Sequence, residues 1–164
     1  MIIVSDTSPI TNLAAIGQLD ILRQLYGNII IPTAVYNEMV GLGKVVPGTV
    51  EVQTFPWIKT LEVADSTRVT DILENQENID LGEAESIILA LELKANLLLI
   101  DERRGRVVAT SYGLNVTGLF GVLIQAKRNG LIQSVKPLIN ELMVQANFRV
   151  SSKLYAIVLE TAGE

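Results

Sequence analysis

The chain has 164 residues, 49% of them hydrophobic, and a mean hydropathy of +0.37, which suits one globular domain with a substantial core and excludes a disordered chain. It contains no cysteine and no histidine, which removes disulfides, thiol nucleophiles, Ser-His-Asp triads, histidine acid–base catalysis and the usual zinc sites. A net charge of −5 and a pI near 4.8 argue against binding nucleic acid through a broad basic surface, and leave catalysis to carboxylates, hydroxyls, lysine or arginine, and a hard cation held by oxygen.

In chain order, Ile2–Ser5 reads as a short buried strand with Asp6 at its carboxyl end, and Pro9 suits the first turn of a helix carrying Leu13, Ala14 and Ile16. Beyond Gly17 a helical stretch from Leu19 to Tyr26 stops at Gly27, and Asn28–Ile31 makes a second buried strand. Pro32 opens a helix in which Val35, Met39 and Leu42 recur at helical spacing, with Glu38 beside that stripe. Residues 43–56 mix Gly, Pro and β-branched residues without a period and read as an irregular excursion. Lys59–Val63 follows as a strand and Ser66–Gln76 as a polar helix. Gly82–Ala95 is an amphipathic helix with Ala84, Ile87, Ile88, Leu91 and Ala95 on one face. Leu97–Ile100 is a buried strand ending on Asp101, Arg103–Tyr112 a helix, Leu114–Thr117 a short strand, and three helical stretches run from Leu119 to the end. Strands alternating with helices imply one three-layer α/β/α domain over residues 1–164 with a central parallel sheet. The apolar C-terminal half is the expected homodimer interface, on the ground of the chain's high hydrophobicity and the amphipathic stretch Leu119–Ala126.

Apolar runs such as Asn96–Ile100 fall far short of the roughly 20 residues that span a bilayer. The start, Met1–Asp6, lacks a basic segment and a cleavage pattern, so the expectation is a cytoplasmic protein without a membrane partner.

Each acid has an ordinary role available on its own. Asp6 suits a helix N-cap, Asp101 a turn, Glu38 a solvated helix face, and Glu83 the positive end of its helix. Together, two acids end buried strands and two lie at the margins of buried helix faces, and ligands of such sheets bind outside the strands' carboxyl ends. Crowded carboxylates repel one another unless a cation offsets the charge, and Mg²⁺ with its oxygen shell is the natural offset. On the helix from Gly82, Glu83 edges the apolar stripe whereas Glu85 and Glu92 point away from it and read as solvated surface charges. Thr7 and Ser8 set hydroxyls beside Asp6, to bond a metal's waters, to hold Asp6 in place, or as plain caps. Arg103, Arg104 and Arg106 follow Asp101 and face either phosphate or solvent.

The ordered set Asp6-Thr-Ser-Pro-Ile-Thr-Asn-Leu13, Ile31-Pro32 leading to Glu38, Leu81-Gly-Glu-Ala-Glu-Ser-Ile-Ile-Leu-Ala90 and Leu99-Ile-Asp-Glu-Arg-Arg-Gly-Arg106 resembles the PIN domain, in its VapC-like branch, over essentially the whole chain. The resemblance implies a parallel α/β/α fold and an endoribonuclease that uses Mg²⁺ or Mn²⁺ and leaves 5′-phosphate and 3′-hydroxyl ends. Carried over by position, the catalytic and metal-binding acids are Asp6, Glu38, Glu83 and Asp101, with Thr7, Ser8 and Glu102 secondary and Arg103, Arg104 and Arg106 toward RNA. Where other members carry a further acid, this chain has Gly118 and its neighbours, or Glu102, which leaves the number of metals open. A toxin role, a small antitoxin partner and dimerisation also follow from the resemblance. Two rivals stand beside it. An aspartyl-nucleophile phosphatase would need a second Asp where Ser8 stands, and a binding module without turnover would have no need of all four acids.

Overall fold

The apolar runs form β1 (Ile3–Ser5), β2 (Ile29–Pro32), β3 (Ile58–Leu61), β4 (Leu97–Leu99) and β5 (Val116–Thr117), joined in one all-parallel sheet of order β3-β2-β1-β4-β5. The structure is a computed structural model that describes residues 1–41 and 43–164. Side chains alternate across the sheet, as the period of two requires. Ile3, Ile29, Ile31 and Leu99 enter one core with helices α1 (Thr7–Ala15), α2 (Asp20–Tyr26), α3 (Thr33–Val40), α8 (Leu119–Arg128), α9 (Lys136–Gln145) and α10 (Ser152–Thr161). Val4, Leu98 and Ile100 enter the other with α5 (Ser66–Asn75), α6 (Leu81–Glu92) and α7 (Arg103–Ser111). Because both faces are covered, the strands carry continuous apolar runs, and the expected three-layer α/β/α architecture is observed.

The strand order places the site. From β1 the chain moves outward through β2 and β3, then returns to the other side of β1 for β4 and β5. The direction reverses between β1 and β4, which makes the carboxyl ends of these two strands the switch point where an open parallel sheet leaves a crevice. Ser5 pairs with Leu99, and the Asp6 amide donates to the Leu99 carbonyl at 2.9 Å, so Asp6 and Asp101 leave the sheet side by side.

Several local expectations change. Within the stretch read as irregular, Thr49–Thr54 is helical (α4) and buries Val52. Thr49 organises it locally, its hydroxyl meeting the Val46 amide at 3.1 Å and the Met39 carbonyl at 2.8 Å, and Gly48 precedes it at φ +94°. A six-residue helix with one buried side chain leaves no period to read. Helix α3 ends at Val40, and Leu42, the last member of its expected stripe, lies outside the described residues. The stripe Leu119, Val122, Leu123 and Ala126 is consumed by the chain's own core, so this stretch is not a surface for a second copy. Among the described residues, no helix is long and apolar enough to cross a membrane.

Candidate active site

Asp6 terminates β1 and occupies the N-cap position of α1, yet its side chain makes no capping hydrogen bond. It is 5% exposed. Burial pushes its carboxyl up to about 8, against the Thr7 amide and with the Asp80, Glu83 and Glu38 carboxylates adding to the rise. An acid this buried that caps nothing has no evident structural reason to be there.

Helix α6 supplies the next acids. Asp80 and Glu83 form a reciprocal capping box: the Glu83 amide donates to Asp80 Oδ1 at 2.8 Å, and the Asp80 amide donates to Glu83 Oε1 at 3.0 Å. This fixes Glu83 with one oxygen satisfied and the other, Oε2, buried without a partner. Glu83 is 3% exposed, and burial lifts its carboxyl to about 7, the Asp80 amide opposing and the Asp80 and Glu102 charges adding.

Between these acids lies Gly82. A Cβ built there would stand 3.1 Å from Glu38 Oε2, 3.4 Å from Asp6 Oδ1 and 3.5 Å from Asp80 Oδ1. Three carboxylate oxygens from β1, α3 and the start of α6 thus surround a space that only glycine leaves open. Glu38 is exposed and is held by the Thr7 hydroxyl, which donates to its Oε2 at 2.8 Å. The Ser86 hydroxyl, itself fully buried, donates to the Gly82 carbonyl at 2.7 Å and fixes this first turn.

Asp101 stands on the far side of Asp6. Its Oδ2 accepts from the Ser8 hydroxyl at 2.9 Å and its Oδ1 from the Leu119 amide at 2.6 Å, at the start of α8. Burial raises its carboxyl, while the Leu119 amide, Ser8 and Arg106 oppose and Glu102 adds. At Gly118 a Cβ would lie 3.0 Å from Asp101 Oδ1 and 2.8 Å from Arg106 Nη1, so an acidic side chain there would meet both. Glu102 is exposed and lines both the depression beside Glu83 and the cavity beside Asp101, which joins the two halves of the acidic rim.

The structure therefore gathers Asp6, Glu38 and Glu83 around the start of α6, while Asp101 leaves the neighbouring strand end and turns its carboxyl to Ser8 and the Leu119 amide. Thr7 and Ser8 are clamps on Glu38 and Asp101 rather than caps of α1. The three arginines differ in surroundings. Arg106 faces Asp101, Arg104 donates to the Glu77 carbonyl at 3.2 Å and to Gln76 Oε1 at 2.6 Å, and Arg103 lines a second depression, shared with Arg106, Val107 and Thr110. Glu85 and Glu92 are not free surface charges. Glu85 accepts from the Ala34 amide at 3.0 Å and so caps α3, while Glu92 accepts from the amides of Ala64 and Asp65 at 2.9 Å each. Asp80 was missed by sequence reasoning, although the run Asp80-Leu-Gly-Glu83 carries the spacing of a capping box.

Among the described residues, no group of three or more acids is already drawn into a metal-holding arrangement; Thr7, Ser8 and main-chain amides occupy several of their oxygens instead. The residues nevertheless fit a divalent cation. The donor set is entirely oxygen, Glu83 Oε2 is buried without a partner, and the space at Gly82 is ringed by carboxylates. Burial first, and the neighbouring carboxylates second, raise the carboxyls of Asp6 and Glu83.

A family model described as a PIN domain matches residues 2–164. No curated protein matches the chain.

Proposed function

The chain belongs to the PIN-domain family, whose members are typically nucleases, and from that premise we propose that it is a Mg²⁺- or Mn²⁺-dependent endoribonuclease. The observation that carries the proposal is the ring of Asp6, Glu38 and Asp80 oxygens around Gly82, together with the buried, unpartnered Glu83 Oε2, which lies against Gly105 of α7. Asp6, Glu38, Glu83 and Asp101 are the residues assigned to hold the ion, with Asp80 added to their number. When bound there, the ion supplies a Lewis acid that activates water and offsets charge on a phosphodiester.

The chain's own groups do the rest. Thr7 and Ser8 orient Glu38 and Asp101, the Asp80–Glu83 box holds α6 in register with β1, and Glu85 anchors the helix that carries Glu38. Arg106, beside Asp101, offers the one guanidinium of the three that lies where a phosphate oxygen would approach the rim. No side-chain nucleophile is required, in keeping with a chain that lacks cysteine and histidine. The expected result is cleavage of RNA with Mg²⁺ or Mn²⁺, 5′-phosphate and 3′-hydroxyl products, and full arrest by EDTA. Undiminished cleavage in EDTA would end the proposal.

The VapC-like resemblance extends the reading to a cytoplasmic toxin restrained by a small antitoxin, and to self-association. Val144 and Ile157, exposed on α9 and α10, offer apolar surface for a second copy. Light scattering at micromolar concentration is expected to give about twice the 17.9 kDa mass of one chain. A single-chain mass removes the dimer from the proposal.

A further inference from the structure

Beside Asp101 opens a cavity of about 610 Å³ whose walls come from α1, α7, the start of α8 and the segment joining α9 to α10. Its size lies within the range of small-ligand pockets, roughly 300–1,000 Å³. One wall is apolar and aromatic: Phe120 and Phe148 meet edge to face, with ring centroids 5.4 Å apart and planes at 76°. The opposite side is polar. Asn12 donates to the Ser8 hydroxyl at 2.8 Å, and Ser8 in turn donates to Asp101, so this wall is continuous with the acidic rim. Arg106 and Arg149 also line the cavity, and neither forms an ion pair among the described residues.

These features suit one chemistry. Asp101 and Glu102 share the cavity with the two arginines, but neither arginine is tied into an ion pair among the described residues, so both guanidiniums keep the fork geometry that phosphate oxygens accept. Aromatic rings offer a surface on which any base can stack. A pocket of this volume admits a single splayed base and excludes a stacked duplex. We propose that this cavity receives one unstacked nucleotide of single-stranded RNA, next to the scissile phosphate, its base against Phe120 and Phe148 and its phosphate between Arg106 and Arg149. The proposal rests on reading the acidic rim as the site of phosphodiester hydrolysis, and it names where the substrate lies.

The test uses the full chain carrying Asp6→Asn to halt turnover, titrated with short single-stranded oligoribonucleotides that each hold 2-aminopurine at one position. One position should change fluorescence on binding, and a duplex of the same sequence should not compete. Phe148→Leu, which keeps apolar volume but removes the ring, should lose that signal and raise Kd by about ten-fold or more. Arg149→Gln, at an exposed position, should raise Kd and shallow its salt dependence. Equal binding by the parent, Phe148→Leu and Arg149→Gln overturns the subsite, as does equal binding of duplex or no binding of any oligonucleotide. The two readings separate in the turnover-competent chain. Cleavage with KM unchanged in both variants retains the nuclease and removes the subsite, whereas variant-sensitive binding without any cleavage does the reverse.

Discussion

Glu83→Gln should lower the rate of RNA cleavage by at least about two orders of magnitude, the scale of losing a group that stabilises transition-state charge or holds its metal. Glutamine keeps a carbonyl oxygen for the Asp80 amide, so the capping box survives, but at Oε2 it offers an amide donor where an unpartnered acceptor now points. Asp6→Asn and Asp101→Asn should cost as much. The internal control is Glu85→Gln, two residues along the same helix. Its carbonyl can still accept from the Ala34 amide, so α3 stays anchored and activity should remain within a few-fold of wild type. Glu85→Ala removes that anchor, which costs about 1 kcal/mol by analogy with helix caps, and should lower activity through the displacement of Glu38. Equal losses from Glu83→Gln and Glu85→Gln, measured as initial rates on one RNA, would place the chemistry elsewhere.

The second large effect is on stability. In the folded chain the carboxyl of Asp6 titrates near 8 against an ordinary 3.8, and that of Glu83 near 7 against 4.5. Between these limits the folded state binds more protons than the unfolded state, so unfolding free energy falls as pH rises. Stability contributed by the protonated acids is complete below about pH 4 and is lost progressively up to about pH 8. Asp6→Asn should therefore raise the melting temperature of the EDTA-treated protein at neutral pH by a few degrees, for on the order of 1–2 kcal/mol, and flatten its dependence on pH. Mg²⁺ or Mn²⁺ should stabilise wild type, by about 2.7 kcal/mol at a hundred times Kd, and much less so the variant. Because the ion displaces protons, its apparent affinity should climb from pH 6 to pH 8.

Gly82→Ala gives an independent arm of the same experiment. Its methyl would occupy the space between the Glu38, Asp6 and Asp80 oxygens, so it should leave metal-free melting near wild type and diminish the shift caused by metal. The measurement is a set of melting curves with and without metal between pH 5 and pH 9. Should Asp6→Asn melt below wild type in EDTA, with all three proteins responding alike to metal, Asp6 is structural and the cation site is wrong.

Much of the framework is local and was legible in the sequence. Ile2–Ser5, Asn28–Ile31 and Leu97–Ile100 declare themselves as strands because both faces of a parallel sheet are buried, and the aspartate that follows the first and the third run marks where the chain leaves the core. Asp6 and Asp101 follow from that, and alternation of strand with helix gives the layers. The period of α6 singles out Glu83 at the margin of its apolar face. What periodicity cannot give is the partner that covers a face or meets a side chain. Leu119–Ala126 shows a stripe whether it packs on its own core or on a second chain, and only the tertiary structure decides for the former. Glu85 and Glu92 look solvated on their helix because the amides they bind, at Ala34 and at Ala64 and Asp65, belong to segments 51 and about 28 residues away. The same holds for Thr7 with Glu38 and Ser8 with Asp101, 31 and 93 residues apart, and for the approach of Asp6, Glu38 and Asp80 around Gly82. Sequence sets which residues must be buried, through the free energy of removing apolar surface from water; the crossing of β1, α3, α6 and β4 sets which polar atoms are then left facing one another.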